Sequence, residues 1–185
     1  MDLNDLMQAL QELIADMLEQ LRQGLLSSQP SEAEPKSTIS LSPKPSLQWA
    51  RLTRQHLALR KGELLQQAVE KAEQAGETSI ANLLRAFQAE DIETVERLAP
   101  ALHRALRQAG REEEAWTVEL VHLDIKARLV KEFMHLPLEQ QMEALKVGLK
   151  ACEQAAAIAR ALGDEPCIAL YRVVAGNGLL QSAAI

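Results

Sequence analysis

Aromatic side chains are scarce in this chain: two tryptophans, two phenylalanines and one tyrosine make up 3% of its 185 residues. Strands favour aromatic and β-branched residues, and the latter are thinly scattered, so no sheet is expected. Cysteine is limited to Cys152 and Cys167, with no Cys-x-x-Cys spacing. That excludes a disulfide framework, and both are read as small core residues. Basic charge is in the minority. Lys and Arg number 20 against 26 Asp and Glu, a formal charge of −6, which opposes a sequence-independent grip on nucleic-acid phosphates. No apolar run approaches the length of a membrane span, and Asp2 and Asp5 stand where a secretory signal carries positive charge. The expectations are a cytoplasmic protein with neither a nucleic-acid nor a membrane partner.

What the chain does have is Leu, Ala, Gln and Glu, which lose little entropy in a helix. The length suits one domain with appendages. Over residues 1–26, Leu3, Met7, Leu10, Ile14, Met17 and Leu21 recur at spacings of four and three, which predicts an amphipathic helix with one apolar seam. Such a seam serves oligomerisation or docking. The polar face is acidic, so anionic lipid would repel it. Residues 27–47 hold four of the seven prolines and many serines and are read as a disordered linker, with too little apolar area to offset the entropy of ordering. Residues 48–185 form the helical domain. Its one basic cluster, Arg51, Arg54, Arg60 and Lys61 near Trp49 and His56, is read as a solvated helix face, with an anion or partner contact as the alternative.

Within that domain one phrase recurs as "AVEKAEQAGETSIANLL", "LHRALRQAGREEEAWTV" and "AAAIARALGDEPCIALY". An apolar helical face runs into a glycine, a polar cluster follows, and a second helix starts. Gly76, Gly110 and Gly163 are placed to close helices in the left-handed conformation. Thr78 or Ser79, the run Glu112 to Glu114, and Asp164 are placed to open the next ones. Gly76 and Gly110 lie 34 residues apart, the third spacing is 53, and Leu136 and Pro137 break the extra stretch. Helices of about 22 to 25 residues are expected on either side of that break.

A 34-residue period of paired helices resembles the tetratricopeptide repeat, whose "ALGD" junctions are matched at Ala161 to Asp164. "IALYRVVAGNGLL" is similar to a first helix of that family, with Gly176 at the tight-packing position. The resemblance covers residues 60 to 181 and lacks the full Trp, Leu, Gly, Tyr and Ala signature in any one repeat. It implies an all-α, TPR-like antiparallel array of helix hairpins, an α-solenoid, whose groove holds a partner peptide or helix.

Signals for chemistry are few. No two of His56, His103, His122 and His135 stand three or four apart, and the Glu-x-x-His "ELVH" is read as too weak a match for a metal site. "AGNGLL" lacks the lysine of a phosphate loop. No catalytic residue, metal or cofactor is assigned. The expected function is a non-enzymatic interaction module, an adaptor, scaffold or chaperone-like protein, with another protein or peptide as partner. Helical phase assigns Asn82, Arg85, Glu119, His122, Lys126 and Arg172 to its groove. The alternative is a structural subunit that assembles as a homodimer or higher oligomer through residues 1–26.

Overall fold

The computed structural model describes residues 39–183. The amphipathic helix expected over residues 1–26, with Leu3, Met7, Leu10, Ile14, Met17 and Leu21, lies outside the described residues, as does the first part of the linker. The described residues are helical and contain no strand. None of their helices is long and apolar enough to cross a membrane.

The helices are α1 (Gln48–Leu59), α2 (Gly62–Gln74), α3 (Thr78–Gln88), α4 (Ile92–Gln108), α5 (Glu112–Ala127), the one-turn α6 (Leu129–Glu132), α7 (Leu138–Ala161) and α8 (Glu165–Ala183). A 3₁₀ turn, Phe133–His135, precedes the break at Leu136, which is extended ahead of Pro137. The helix after the break has 24 residues. The stretch before it is divided into α5, α6 and the 3₁₀ turn, shorter than expected.

Neighbouring helices pack in sequence as antiparallel hairpins, as short turns require. The three glycine turns are built alike. Gly76, Gly110 and Gly163 have φ of 75°, 73° and 68°. In each, the next amide donates back to a carbonyl five residues earlier: Glu77 to Ala72 at 2.8 Å, Arg111 to Leu106 and Asp164 to Ala159 at 2.9 Å. This is the Schellman closure, and it satisfies carbonyls that a helix end leaves open. Asp164 then caps α8, accepting from the Cys167 amide at 3.2 Å. Neither Thr78 nor Ser79 caps α3; Glu77 stands at that position without a side-chain cap bond.

The turn between α3 and α4 repeats the closure with a different residue. Glu90 takes the left-handed conformation at φ 58°, the Asp91 amide donates to Ala86 at 2.9 Å, and Asp91 caps α4 by accepting from Thr94 at 3.1 Å. The phrase therefore occurs a fourth time, with glutamate in the place of glycine.

Two packing relations set the shape of the core. Helix α5 is buried almost all round, from Glu114 to Ala127, because α4, α7 and α1 lie against it. Helix α1 packs on α2 and also reaches α5 and α8, a return contact that a strictly neighbour-to-neighbour array lacks. Trp49, Ala50, Thr53, Arg54 and Leu57 form its buried face. Val130 of α6 is wedged between α7 and α8 where Gly148 and Gly178 remove side chains; a Cβ on either would come within 2.6 Å or 2.2 Å of a Val130 methyl. The tight-packing glycine of α8 is thus Gly178. Gly176 has open space at its Cβ position, because the expected register was two residues early.

Residues 39–47 fall in the stretch read as linker, yet they run against the helical domain. Ile39 and Leu41 pack on the core, and the amides of Ser40 and Ser42 donate to Ser79 Oγ (3.1 Å) and Glu77 Oε2 (3.0 Å). Two apolar anchors and two backbone hydrogen bonds supply what composition alone does not register.

Candidate functional site

Antiparallel pairing puts the Gly76, Gly110 and Gly163 turns at one end of the hairpins. The other end carries the α1 to α2 turn, the α3 to α4 turn and the α5 to α7 connection. At the glycine end, buried ion pairs lock the turns together. Arg111 donates to Glu77 at 2.5 Å and also to Glu114. Burial pushes the Glu114 carboxyl up from its ordinary range, with Arg111 opposing. Arg54 donates to Glu113 (2.7 Å), Thr117 (2.7 Å) and Asp164 (3.2 Å). These groups are spent on structure.

The opposite end is built from charged turn residues. Arg60 closes α1 in the left-handed conformation at φ 55°, its amide donating to His56 O at 2.7 Å. Its guanidinium donates to both oxygens of Asp124, at 2.9 and 2.5 Å. Asp124 is fully buried and also accepts from the Tyr171 hydroxyl at 3.0 Å, with Arg128 Nε at 3.5 Å. Burial and the Asp124 charge raise the Tyr171 pKa well above its ordinary value. Arg128 in turn donates to Glu90 at 3.1 Å and lies over the Phe87 ring, 5.2 Å from its centroid. These residues line a cleft of about 420 Å³. The basic cluster read as a solvated face is thus divided: Arg54 is buried in ion pairs and Arg60 lines the cleft, because α1 turns that face toward α5 and α8.

A second concavity of about 530 Å³ lies over α5 between α4 and α7. Trp116 is its half-buried centre. The His103 ring packs 5.5 Å from the Trp116 ring and the Arg107 guanidinium sits 5.5 Å over its face. Pro100, inside α4, supplies a wall. Glu119 and His122 line the same groove with Nδ1 and Oε2 3.9 Å apart. His122 holds the Glu119 carboxyl below its usual range, against the effect of burial. Arg104 lines the groove and Lys126 continues the face one turn beyond His122; neither makes an ion pair among the described residues.

Of the six residues assigned by phase, Glu119, His122 and Lys126 share this groove face. Asn82 and Arg85 lie on the exposed side of α3, where Arg85 pairs with Glu73 and donates to Asn82 at 3.4 Å. Arg172 is exposed on α8. Trp116, Asp124 and Tyr171 have no assignment from the sequence; His103 is weighed there only as a metal ligand, and Arg60 only within the basic cluster. The amphipathic phase of α4 points to His103; α5 is buried almost all round and gives no such signal for Trp116, and the Arg60, Asp124 and Tyr171 set joins distant helices and leaves no local signal. Cys152 and Cys167 are buried, and burial pushes their thiols up to about 11 and about 12. The chain matches no protein-family model, no curated protein and no solved structure.

Proposed function

We propose that the protein is a non-enzymatic interaction module, a TPR-like chain of helix hairpins that holds a peptide or helix of another protein. The supporting observation is the groove over α5. A half-buried tryptophan flanked by an imidazole and a guanidinium, with Arg104 unpaired in the same groove and Lys126 unpaired farther along the α5 face, offers an apolar anchor with basic side chains near it. Tryptophan and arginine are the residue types on which binding energy concentrates. In a chain of net charge −6, basic groups gathered at a groove favour an acidic segment with one large apolar residue. A cytoplasmic partner suits the expected location.

Selection of a peptide library on the full chain tests this reading. Enriched peptides should combine an apolar anchor with acidic residues, and should bind at least about tenfold more weakly to Trp116→Ala and Lys126→Glu. Binders indifferent to both substitutions would contradict it.

A second reading, a self-assembling subunit, draws on exposed apolar residues at the start of α7 and the end of α8. Leu138 is 78% and Leu180 73% exposed, with Met142 and Leu179 also exposed nearby. Light scattering over a concentration series distinguishes this reading, by a mass that rises for the parent and not for Leu138→Lys with Leu180→Lys.

A further inference from the structure

We propose that the cleft at the charged-turn end binds an organic anion, a carboxylate carried on an apolar body. This site is separate from the groove over α5 and stands without the reading given to that groove.

Among the described residues, Arg60 and Glu90 are the non-glycine residues with positive φ, and both line this cleft. A left-handed residue with a Cβ costs about 1–2 kcal/mol, and the equivalent turns at the other end use glycine. Strain kept at two turns of one cleft marks side chains whose presence matters there. Both side chains act on arginine: Arg60 carries its own guanidinium to Asp124, and Glu90 accepts from Arg128.

Asp124 has both oxygens occupied, by Arg60, Tyr171 and Arg128, so it orients the two guanidinium groups and offers little to a ligand. Each arginine retains unused N–H donors, since a guanidinium has about five. Lys131 also lines the cleft and makes no ion pair among the described residues. Glu132 is the lining carboxylate left without a cation, and it is exposed. The donors in place outnumber the free acceptors, and two held guanidinium groups suit the planar fork of a carboxylate.

Leu65, Phe87, Ala127 and Val174 give the cleft an apolar wall, and about 420 Å³ is the size of a small-molecule site. An apolar body is needed to fill it; a bare ion would leave that wall wet.

Calorimetric titration of the full chain tests the proposal, with 3-phenylpropionate as the probe. Its neutral amide, phenethylamine and acetate serve as comparisons. Saturable binding of 3-phenylpropionate is expected, at least about tenfold tighter than any of the three. Lys131→Glu and Arg128→Gln should each weaken it about tenfold, while Lys150→Glu, on the exposed side of α7, leaves it unchanged. Lys131 is exposed and unpaired, so its substitution keeps the test valid if Arg128→Gln fails to fold. A tripeptide with an apolar last residue and a free carboxylate distinguishes the source. Binding about tenfold tighter than the probe, lost on amidation, assigns the site to a protein C-terminus; equal or weaker binding assigns it to a small acid. Equal binding of acid and amide, binding of the amine as tight as the acid, or no binding at all would overturn the proposal.

Discussion

Arg60 and Asp124, 64 residues apart in the chain, face each other as a two-pronged ion pair with distances of 2.9 and 2.5 Å. The pair ties the end of α1 to the last turn of α5, and through Tyr171 to α8. It is the polar counterpart of the apolar contact that α1 makes through Trp49 and Leu57.

Breaking this pair from the arginine side leaves Asp124 buried with only Tyr171 and Arg128. Arg60→Ala should therefore cost about 3 kcal/mol, the lower end for a buried charge stripped of its partner. Adding Asp124→Ala should cost less than the sum of the two single changes. Urea denaturation of the four chains measures the coupling; strict additivity would mean that the pair contributes nothing specific.

Glu90 and the turn glycines differ in side chain and share a backbone. Glu90→Gly should stabilise the fold by about 1 kcal/mol, since the exposed pair with Arg128 that it gives up is worth less. Glu90→Ala keeps the strain and loses the pair, so it should destabilise. Thermal melts should place Glu90→Gly above the parent and Glu90→Ala below it. The same Glu90→Gly change should weaken anion binding in the cleft, because Arg128 loses a partner that holds it.

Gly148 and Gly178 give different outcomes on substitution by alanine. A Cβ at Gly178 meets the Val130 side chain at 2.2 Å, whereas one at Gly148 also meets the Val130 backbone nitrogen at 2.8 Å. Both substitutions should cost about 1–3 kcal/mol. Val130→Ala should rescue most of the loss at Gly178 and little of it at Gly148, because truncating a side chain does not move an amide.

Much of this architecture was legible in the sequence, and the limits are instructive. The glycine turns, the Asp164 cap and the break at Pro137 follow from local chemistry, and they are where the residues place them. That Glu90 closes the turn between α3 and α4 in the left-handed conformation was not legible, because it performs a glycine's task at an energetic cost. The docking of Ile39 and Leu41 was hidden by the prolines and serines around them. The cleft was hidden for a deeper reason. Arg60, Asp124 and Tyr171 belong to helices that meet only when α1 returns to α5 and α8, and no spacing along the chain reports such a contact.

Glu114 gives the fold a pH signature. Its folded-state pKa is raised, chiefly by burial, so the folded chain holds this proton more tightly than the unfolded one. The contribution of this group to stability is full below the unfolded carboxyl value of about 4.3 and declines as pH rises through the folded value. Glu114→Gln removes the titration. The stability of the variant relative to the parent should rise with pH above about 4.3 and be flat below it, as measured by denaturation at a series of pH values. A relative stability that falls over that range would contradict the assignment.

The central claim, that the groove over α5 is the face that holds a partner, is tested most directly by the emission of Trp116. Trp49 is fully buried, so a Trp49→Phe chain leaves Trp116 as the sole tryptophan reporter. Titrating this chain with an acidic peptide from the library selection should shift the emission to the blue and saturate at the affinity that calorimetric titration of the same peptide gives for the parent chain. Binding of the peptide with no change in Trp116 emission would place the partner elsewhere and contradict the account.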